Sequence, residues 1–269
     1  MLVEGSDQLD GFVPLQTKKG QPAHVFRFRA GAALYVGKWS RSHNVLDRAR
    51  NFLRQPKAKR AWENSVRLRA LGFDTPAPIA YAERRKAGLV RRSLFITEDL
   101  GAVEKLDEFL RRSCTDTESR QLRRSLMWLL GATVARLHRA GVFQSDLRAA
   151  NILVEQARDG LRLHLVDTEA VRFCTPVTDS QRLKNMTSLN FTFVPCVTIT
   201  DRMRVFRSYA DGLGMNCTER KAWLRKTIAA CERTMHFKVF KPKLRGHGIP
   251  SGLPYREQVK AITAALSKS

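Results

Sequence analysis

The sequence predicts an α+β fold with segregated lobes, a small β-rich N-terminal lobe followed by a mainly helical C-terminal lobe. Three observations carry that expectation. Short β-rich segments fill the chain up to Thr97, with one helical stretch among them. From Leu106 onward apolar residues recur mostly at helical spacing. Strands and helices do not alternate one for one, as a parallel βαβ fold would require. The expected boundary lies in the connector around 97–102, giving an N-lobe of 1–97 and a C-lobe of 98–269.

Phe12–Gln16, His24–Arg29 and Leu34–Lys38 read as three antiparallel strands, turning at 18–21 and 30–33. Arg48–Gln55 is a basic segment that ends at Pro56. Ala58, Ala61, Trp62, Val66 and Leu68 then mark a helix over 57–71, closed by Gly72. The prolines of 73–78 demand extended backbone. Ile79–Glu83 and Ser93–Thr97 are two more strands, joined by the basic hairpin Arg84–Arg92. After a short helix over Leu106–Arg112, Thr115 and Glu118 form a capping box that opens a long helix. Its stripe runs Leu122, Leu126, Leu130, Val134 and Leu137, and Gly141 ends it. Ile152–Glu155 and Leu161–Val166 make a small hairpin around 158–160. Helices are expected over Thr178–Leu189, Arg202–Ala210, Thr218–Arg233 and Tyr255–Leu266, with a basic loop over 241–248.

Composition bounds the function. The 43% hydrophobic content is that of an ordinary globular chain. No apolar run approaches the roughly 20 residues of a membrane span. The N-terminus, MLVEGSDQLDG, has acids and no apolar core, so no secretory signal is expected. Five scattered cysteines, with no CxxC pair, argue against a disulfide framework or a cysteine zinc site and for a reducing cytoplasm. Charge is the outlier. The chain has 48 Lys+Arg against 25 Asp+Glu, a net +23, and from Asp201 on the count is 15 against 5. Such a field attracts polyanions without saying which.

The chemistry centres on Gly141–Asp167. Asp146 sits in a loop where it can accept a proton from a substrate hydroxyl. Asn151, five residues on, offers a neutral oxygen to Mg²⁺, a cation that prefers oxygen ligands. Asp167 ends an apolar strand and offers an anionic ligand that bridges the metal to phosphates. Lys38, closing the third strand, can reach the α/β-phosphates of a nucleotide, and Glu63 on the next helix can hold it in place. Those are the few groups phosphoryl transfer needs. Each has an ordinary reading as well. Asp and Asn favour loops, a strand-end lysine is commonly just solvated, and Glu63 has Arg60 and Arg67 at i−3 and i+4. The combination favours catalysis. His138 reads as a packing residue and His164 as a strand-face residue.

Asp146-x4-Asn151 followed by Asp167, with Lys38 and Glu63 upstream, resembles the protein kinase-like fold. Within it LYVGKW, KAKRAWENSVRLRALGFDTPAPIAYAE and LFITEDL resemble the lipopolysaccharide core kinases, which phosphorylate heptose or Kdo sugars. The resemblance covers roughly residues 12–210. It implies an ATP- and Mg²⁺-dependent kinase with Asp146 as base, Asn151 and Asp167 as metal ligands, Lys38 on the phosphates and Glu63 as its ion-pair partner. It also implies that the connector Glu98–Leu100 binds adenine through its backbone. The partner would be an anionic glycolipid or sugar acceptor, met in the cytoplasm at the inner face of the inner membrane by peripheral contact. No specific nucleic acid is expected.

The departures from the kinase pattern are specific. Gln144-Ser145 stands where His-Arg precedes the catalytic Asp, which removes the partner of an activation-loop phosphate. Asp167-Thr168-Glu169 replaces Asp-Phe-Gly and drops the packing Phe. No GxGxxG exists, and Gly20 alone marks the phosphate-covering turn. Three readings therefore stay open beside the first: a kinase for another small-molecule or protein hydroxyl, an inactive kinase-like binding module, and a nucleic-acid binder explained by charge. The basic tail with Trp223, Phe237 and Phe240 suits a solvated face, single-strand stacking or an anionic membrane, and the resemblance favours the membrane.

Overall fold

The computed structural model of the chain describes residues 12–16, 23–41, 55–86, 89–115, 119–193 and 197–243. Gly20 and the 18–21 turn lie outside the described residues, as do most of the 48–55 segment, the tip of the 84–92 hairpin, Glu118 of the capping box, residues 244–248 of the basic loop and the final helix. The chain divides into two compact units, 1–103 with 164–171, and 104–163 with 172–269.

The first unit is built on an antiparallel sheet of β1 (Val13–Gln16), β2 (Ala23–Ala30), β3 (Ala33–Arg41), β4 (Pro78–Lys86) and β5 (Leu89–Glu98), in the order β1-β2-β3-β5-β4. Alternation sorts the side chains onto two faces. On one face Phe26, Phe28, Tyr35 and Trp39 pack ring to ring, with centroids 5.6–6.2 Å apart. On the other, register places Val25, Lys38, Phe95 and Tyr81 in one row across β2, β3, β5 and β4. Helix α1 (Lys57–Ala70) covers this second face. Its buried stripe is Ala58, Ala61, Ser65 and Leu68, and Ala58 and Ala61 pack on Phe95 with Trp62 alongside. Pairing with Phe95 therefore commits Lys38 to the helix-covered face.

Residues 164–171 belong to this unit as well. Leu165 N–H donates to Asp74 O at 2.9 Å, and the 3₁₀ turn Thr168–Ala170 packs on α1. The connector closes the sheet. Glu98 N–H donates to Ala77 O, Asp99 N–H donates to Leu34 O, and the Asp99 carboxylate pairs with Arg27.

The second unit is mainly helical. After β6 (Val103–Lys105) come α2 (Leu106–Thr115) and α3 (Ser119–Arg139). Strands β7 (Val142–Gln144), β8 (Ile152–Ala157), β9 (Gly160–Leu165) and β10 (Val171–Phe173) follow, then α4 (Asp179–Thr192), α5 (Ile199–Gly212) and α6 (Cys217–Lys243). β6, β8 and β9 form one small sheet and β7 pairs with β10. The core is the α3 stripe of Leu126, Leu130, Val134 and Leu137 with Val205, Phe206 and Tyr209 of α5, all buried. Gly131 lets these helices meet: a Cβ there would stand 2.3 Å from Val205 O.

Most expected elements form, several of them longer than the sequence suggested. Sequence periodicity finds the middle of an element better than its ends, because ends depend on caps and neighbours. No helix among the described residues is long and apolar enough to cross a membrane.

Candidate active site

Each unit carries a group of site residues, and each group is set by its own local structure. In the second unit the loop after β7 is fixed at both ends by α4. Gly141, at φ 71°, reverses the chain out of α3, and its carbonyl accepts from Cys174 N–H at 2.7 Å. All three residues of β7 are buried. Asn185 Nδ2 then donates to Gln144 O at 2.6 Å, and Ala149 N–H donates to Thr192 Oγ1 at 2.9 Å. Asn185 and Thr192 are seven residues apart, two turns of helix, so one face of α4 holds both ends of the loop.

Asp146 lies within that loop. Asn151 Nδ2 donates to Asp146 O at 2.9 Å and to Asp146 Oδ2 at 3.1 Å. The Asn151 amide is thus oriented by its nitrogen, and Oδ1 is the atom it can offer a cation. Arg148 Nη2 also donates to Asp146 Oδ2, at 2.6 Å. The sequence reading passed over this arginine, although its place two residues after the acid could have flagged it. The Asp146 carboxylate is half-exposed and held from two sides.

Behind the loop His138 links α3, α4 and α5. Its Nε2 meets Asn185 Oδ1 at 3.0 Å and its Nδ1 meets Tyr209 Oη at 2.9 Å. Both bonds are satisfied by the neutral Nε2–H tautomer, with the Tyr209 hydroxyl donating to Nδ1. The His138 pKa is lowered to about 4, chiefly by burial, with the Asn185 bond opposing the shift and the nearby Arg182 adding to it. The folded value lies below the unfolded one of 6.5, so as pH falls the unfolded chain takes up this proton first. Stability is expected to decline from about pH 6.5 to about pH 4 and then level off, by on the order of 3 kcal/mol from this group. Urea melts across that range check it. The His-dependent part of the slope should vanish in His138→Gln. His138 is accordingly a packing residue, as the sequence reading favoured, and His164 is a buried residue of β9.

In the first unit Lys38 is the focus. Its Nζ lies 2.6 Å from Asp167 Oδ1 and 2.7 Å from Glu169 Oε1. Burial would lower the Lys38 pKa, but the charges and hydrogen bonds of Glu169 and Asp167 outweigh it and the net shift is upward. Lys38 is a firmly protonated ammonium between two carboxylates. Asp167 takes the left-handed conformation, φ 57° and ψ 42°, that caps the Thr168–Ala170 turn. Asp and Asn tolerate that region better than other side chains.

Between the two acids Thr168 points the other way, into α1. Its hydroxyl donates to Ala61 O at 3.0 Å and meets Ser65 Oγ at 2.9 Å. Asn64 Nδ2 reaches Thr168 O at 2.7 Å and Val171 O at 3.1 Å. The missing packing Phe is thus replaced by a buried polar latch.

Glu63 does not meet the expectation placed on it. Among the described residues its ion pair is with Lys59, at 3.8 Å, and none joins it to Lys38. The reason is helical geometry. Two residues beyond Ala61 is a rotation of roughly 200°, which turns Glu63 away from the stripe that packs on the sheet. In the connector the Glu98 and Asp99 N–H groups are engaged within the sheet, and Glu98 Oε1 accepts from Ala77 N–H at 2.6 Å. Among the described residues of Glu98–Leu100, Leu100 is the one whose N–H is not engaged in this way.

A lysine on β3 facing a helix-covered sheet, and an Asp-x4-Asn loop ahead of a strand that is followed two residues on by Asp, define a protein kinase-like fold. The model of the Lipopolysaccharide kinase (Kdo/WaaP) family matches residues 6–209, and the chain belongs to that family. The chain is a phosphotransferase with an alcohol group as acceptor. It is 26% identical over 196 residues to the lipopolysaccharide core heptose(I) kinase WaaP of Escherichia coli, covering 68% of this chain and 74% of that protein. It is also 26% identical over 157 residues to the Pseudomonas aeruginosa enzyme of the same name, covering 56% of this chain and 59% of that protein. A solved structure described as WaaP in complex with acyl carrier protein superposes with a TM-score of 0.60 at 22% identity, covering 86% of this chain and 91% of that one. That likeness concerns the fold.

Proposed function

We propose that the protein transfers the γ-phosphoryl group of ATP, with Mg²⁺, to a sugar hydroxyl of the lipopolysaccharide core, a heptose or Kdo. The observation that carries the reading is the held loop. Asp146, bridged by Arg148 and Asn151, is a fixed and solvent-reachable carboxylate of the kind that takes a proton from an attacking alcohol. Membership in the lipopolysaccharide kinase family and the heptose kinase relatives support the acceptor class.

In this mechanism the acceptor hydroxyl donates its proton to Asp146 as its oxygen bonds the γ-phosphorus. The bond from that phosphorus to the bridging β–γ oxygen breaks, and ADP leaves with the bond's electrons. Lys38 binds the α/β-phosphates as a point charge, and Leu100 N–H with the Glu98 segment faces adenine. Asp167 and Asn151 Oδ1 are hard oxygen donors and suit Mg²⁺. When bound, the ion offsets repulsion among the phosphates. The positive charge of the chain, +23 overall, would gather ATP and an anionic glycolipid at the inner face of the inner membrane, by peripheral contact from the cytoplasm.

An acceptor panel tests the reading. With labelled ATP and Mg²⁺, label should pass to lipid A–core and not to an aminoglycoside or a protein hydroxyl. Transfer to either of the latter instead would replace the acceptor assignment, and binding of Mg-ATP without transfer to any acceptor would favour an inactive module.

A further inference from the structure

We infer that Glu169, rather than Glu63, is the positioning residue that holds Lys38 toward the nucleotide phosphates, an inference that rests on assigning Lys38 to nucleotide binding. Lys38 Nζ is shared by two carboxylates, Asp167 at 2.6 Å and Glu169 at 2.7 Å. These two acids have different prospects. Asp167 is the proposed metal ligand, and an oxygen engaged with a divalent cation is a poorer partner for an ammonium. Glu169 is free of that duty and remains to hold the lysine.

The Asp167-Thr168-Glu169 order makes this possible. Thr168 is buried and turned into α1, bonded to Ala61 O and Ser65 Oγ, with Asn64 clasping the backbone on either side of Glu169. A turn anchored through its middle residue sends its flanking acids to the same ammonium. The helix that would otherwise supply the glutamate supplies the anchor, while Glu63 points off its packed face and pairs with Lys59. Glu169 is about as shielded as Lys38, each side chain being 18% exposed, against 41% for Glu63. A shielded pair holds its geometry better than a solvated one.

ATP affinity measured calorimetrically, with Mg²⁺ and again in EDTA, tests the inference on wild type, Lys38→Met, Glu169→Gln, Glu63→Gln and the Lys38→Met/Glu169→Gln double variant. Lys38→Met should weaken ATP by about tenfold or more in both conditions, the loss of one charge-assisted bond, and Glu169→Gln should do so with Mg²⁺ but much less in EDTA, where Asp167 still holds the lysine. The double variant should be no worse than Lys38→Met, because Glu169 acts through the lysine. Glu63→Gln should bind at the wild-type value. Glu169→Asp, which keeps the charge and shortens the reach, carries the comparison if the Gln variant does not fold.

Several results would overturn it: a Glu169→Gln that is neutral with Mg²⁺ beside an impaired Lys38→Met, additive losses in the double variant, or a Glu169→Gln defect relieved by raising the Mg²⁺ concentration, which would make Glu169 a metal ligand. Unchanged affinity in Lys38→Met, or no binding by wild type, would instead refute the nucleotide assignment itself and the inference with it.

Discussion

Replacing Asp146 with Asn is expected to lower kcat for phosphoryl transfer by at least about 100-fold while leaving the ATP affinity close to that of wild type. The substitution removes the one function that a neutral amide cannot supply, acceptance of the hydroxyl proton. The local structure should survive it. The Asn151 bond to the backbone carbonyl of residue 146 does not involve the side chain, and the loop ends stay tied to Asn185 and Thr192. An amide oxygen in the place of Oδ2 can still accept from Arg148 and Asn151, so only the charge of the pair, itself about half exposed, is lost. Initial rates and nucleotide titrations separate the two effects. A variant with near-normal kcat would remove Asp146 from the chemistry.

Asp167→Asn is the second large effect. Loss of the anionic ligand should reduce transfer by at least about 100-fold and raise the Mg²⁺ concentration needed for what remains. Asn is the informative choice here. Residue 167 has φ 57°, and Asn accepts the left-handed region at least as readily as Asp, so the turn into Thr168 is kept and only the charge is removed. Ala at the same place would add backbone strain to the loss of the ligand. Lys38 keeps Glu169 in the Asn variant, so ATP measured without metal should bind nearly as well as to wild type. Activity that is unaltered across a Mg²⁺ titration would contradict the ligand role.

The outline of the fold was legible because its signals are local. Alternation and turns marked the strands of the first unit, and 3.6-residue periodicity marked α1 and α3. The Asp146–Asn151 loop was legible for the same reason, since its spacing is fixed within a few residues. The partner of Lys38 was not. Which of Glu63, Asp167 and Glu169 reaches Nζ depends on the β3–β5 register, on the rotation of α1 about its axis and on where Thr168 is anchored. None of these is a property of a short window. The helical wheel held part of the answer, because Ala58, Ala61 and Leu68 set an apolar stripe that excludes Glu63. Residues Asn64 and Ser65 gave no such warning. Polar side chains on a helix read as solvated until a partner is placed against them, and their partner is Thr168, more than a hundred residues away in the chain.

The same contrast applies to the limits of the two compact units. The connector around 97–102 is visible as a change in pattern, and the first unit runs to Val103. The return of 164–171 to that unit depends on the Leu165–Asp74 hydrogen bond and the Thr168 latch, which join distant segments.

The most direct test of the account is the mass of lipid A–core after incubation with the protein, ATP and Mg²⁺. The account predicts a gain of one phosphoryl group per acceptor on a core sugar, dependent on ATP and abolished by Asp146→Asn. ATP turned over to ADP with the mass of the core unchanged would contradict it.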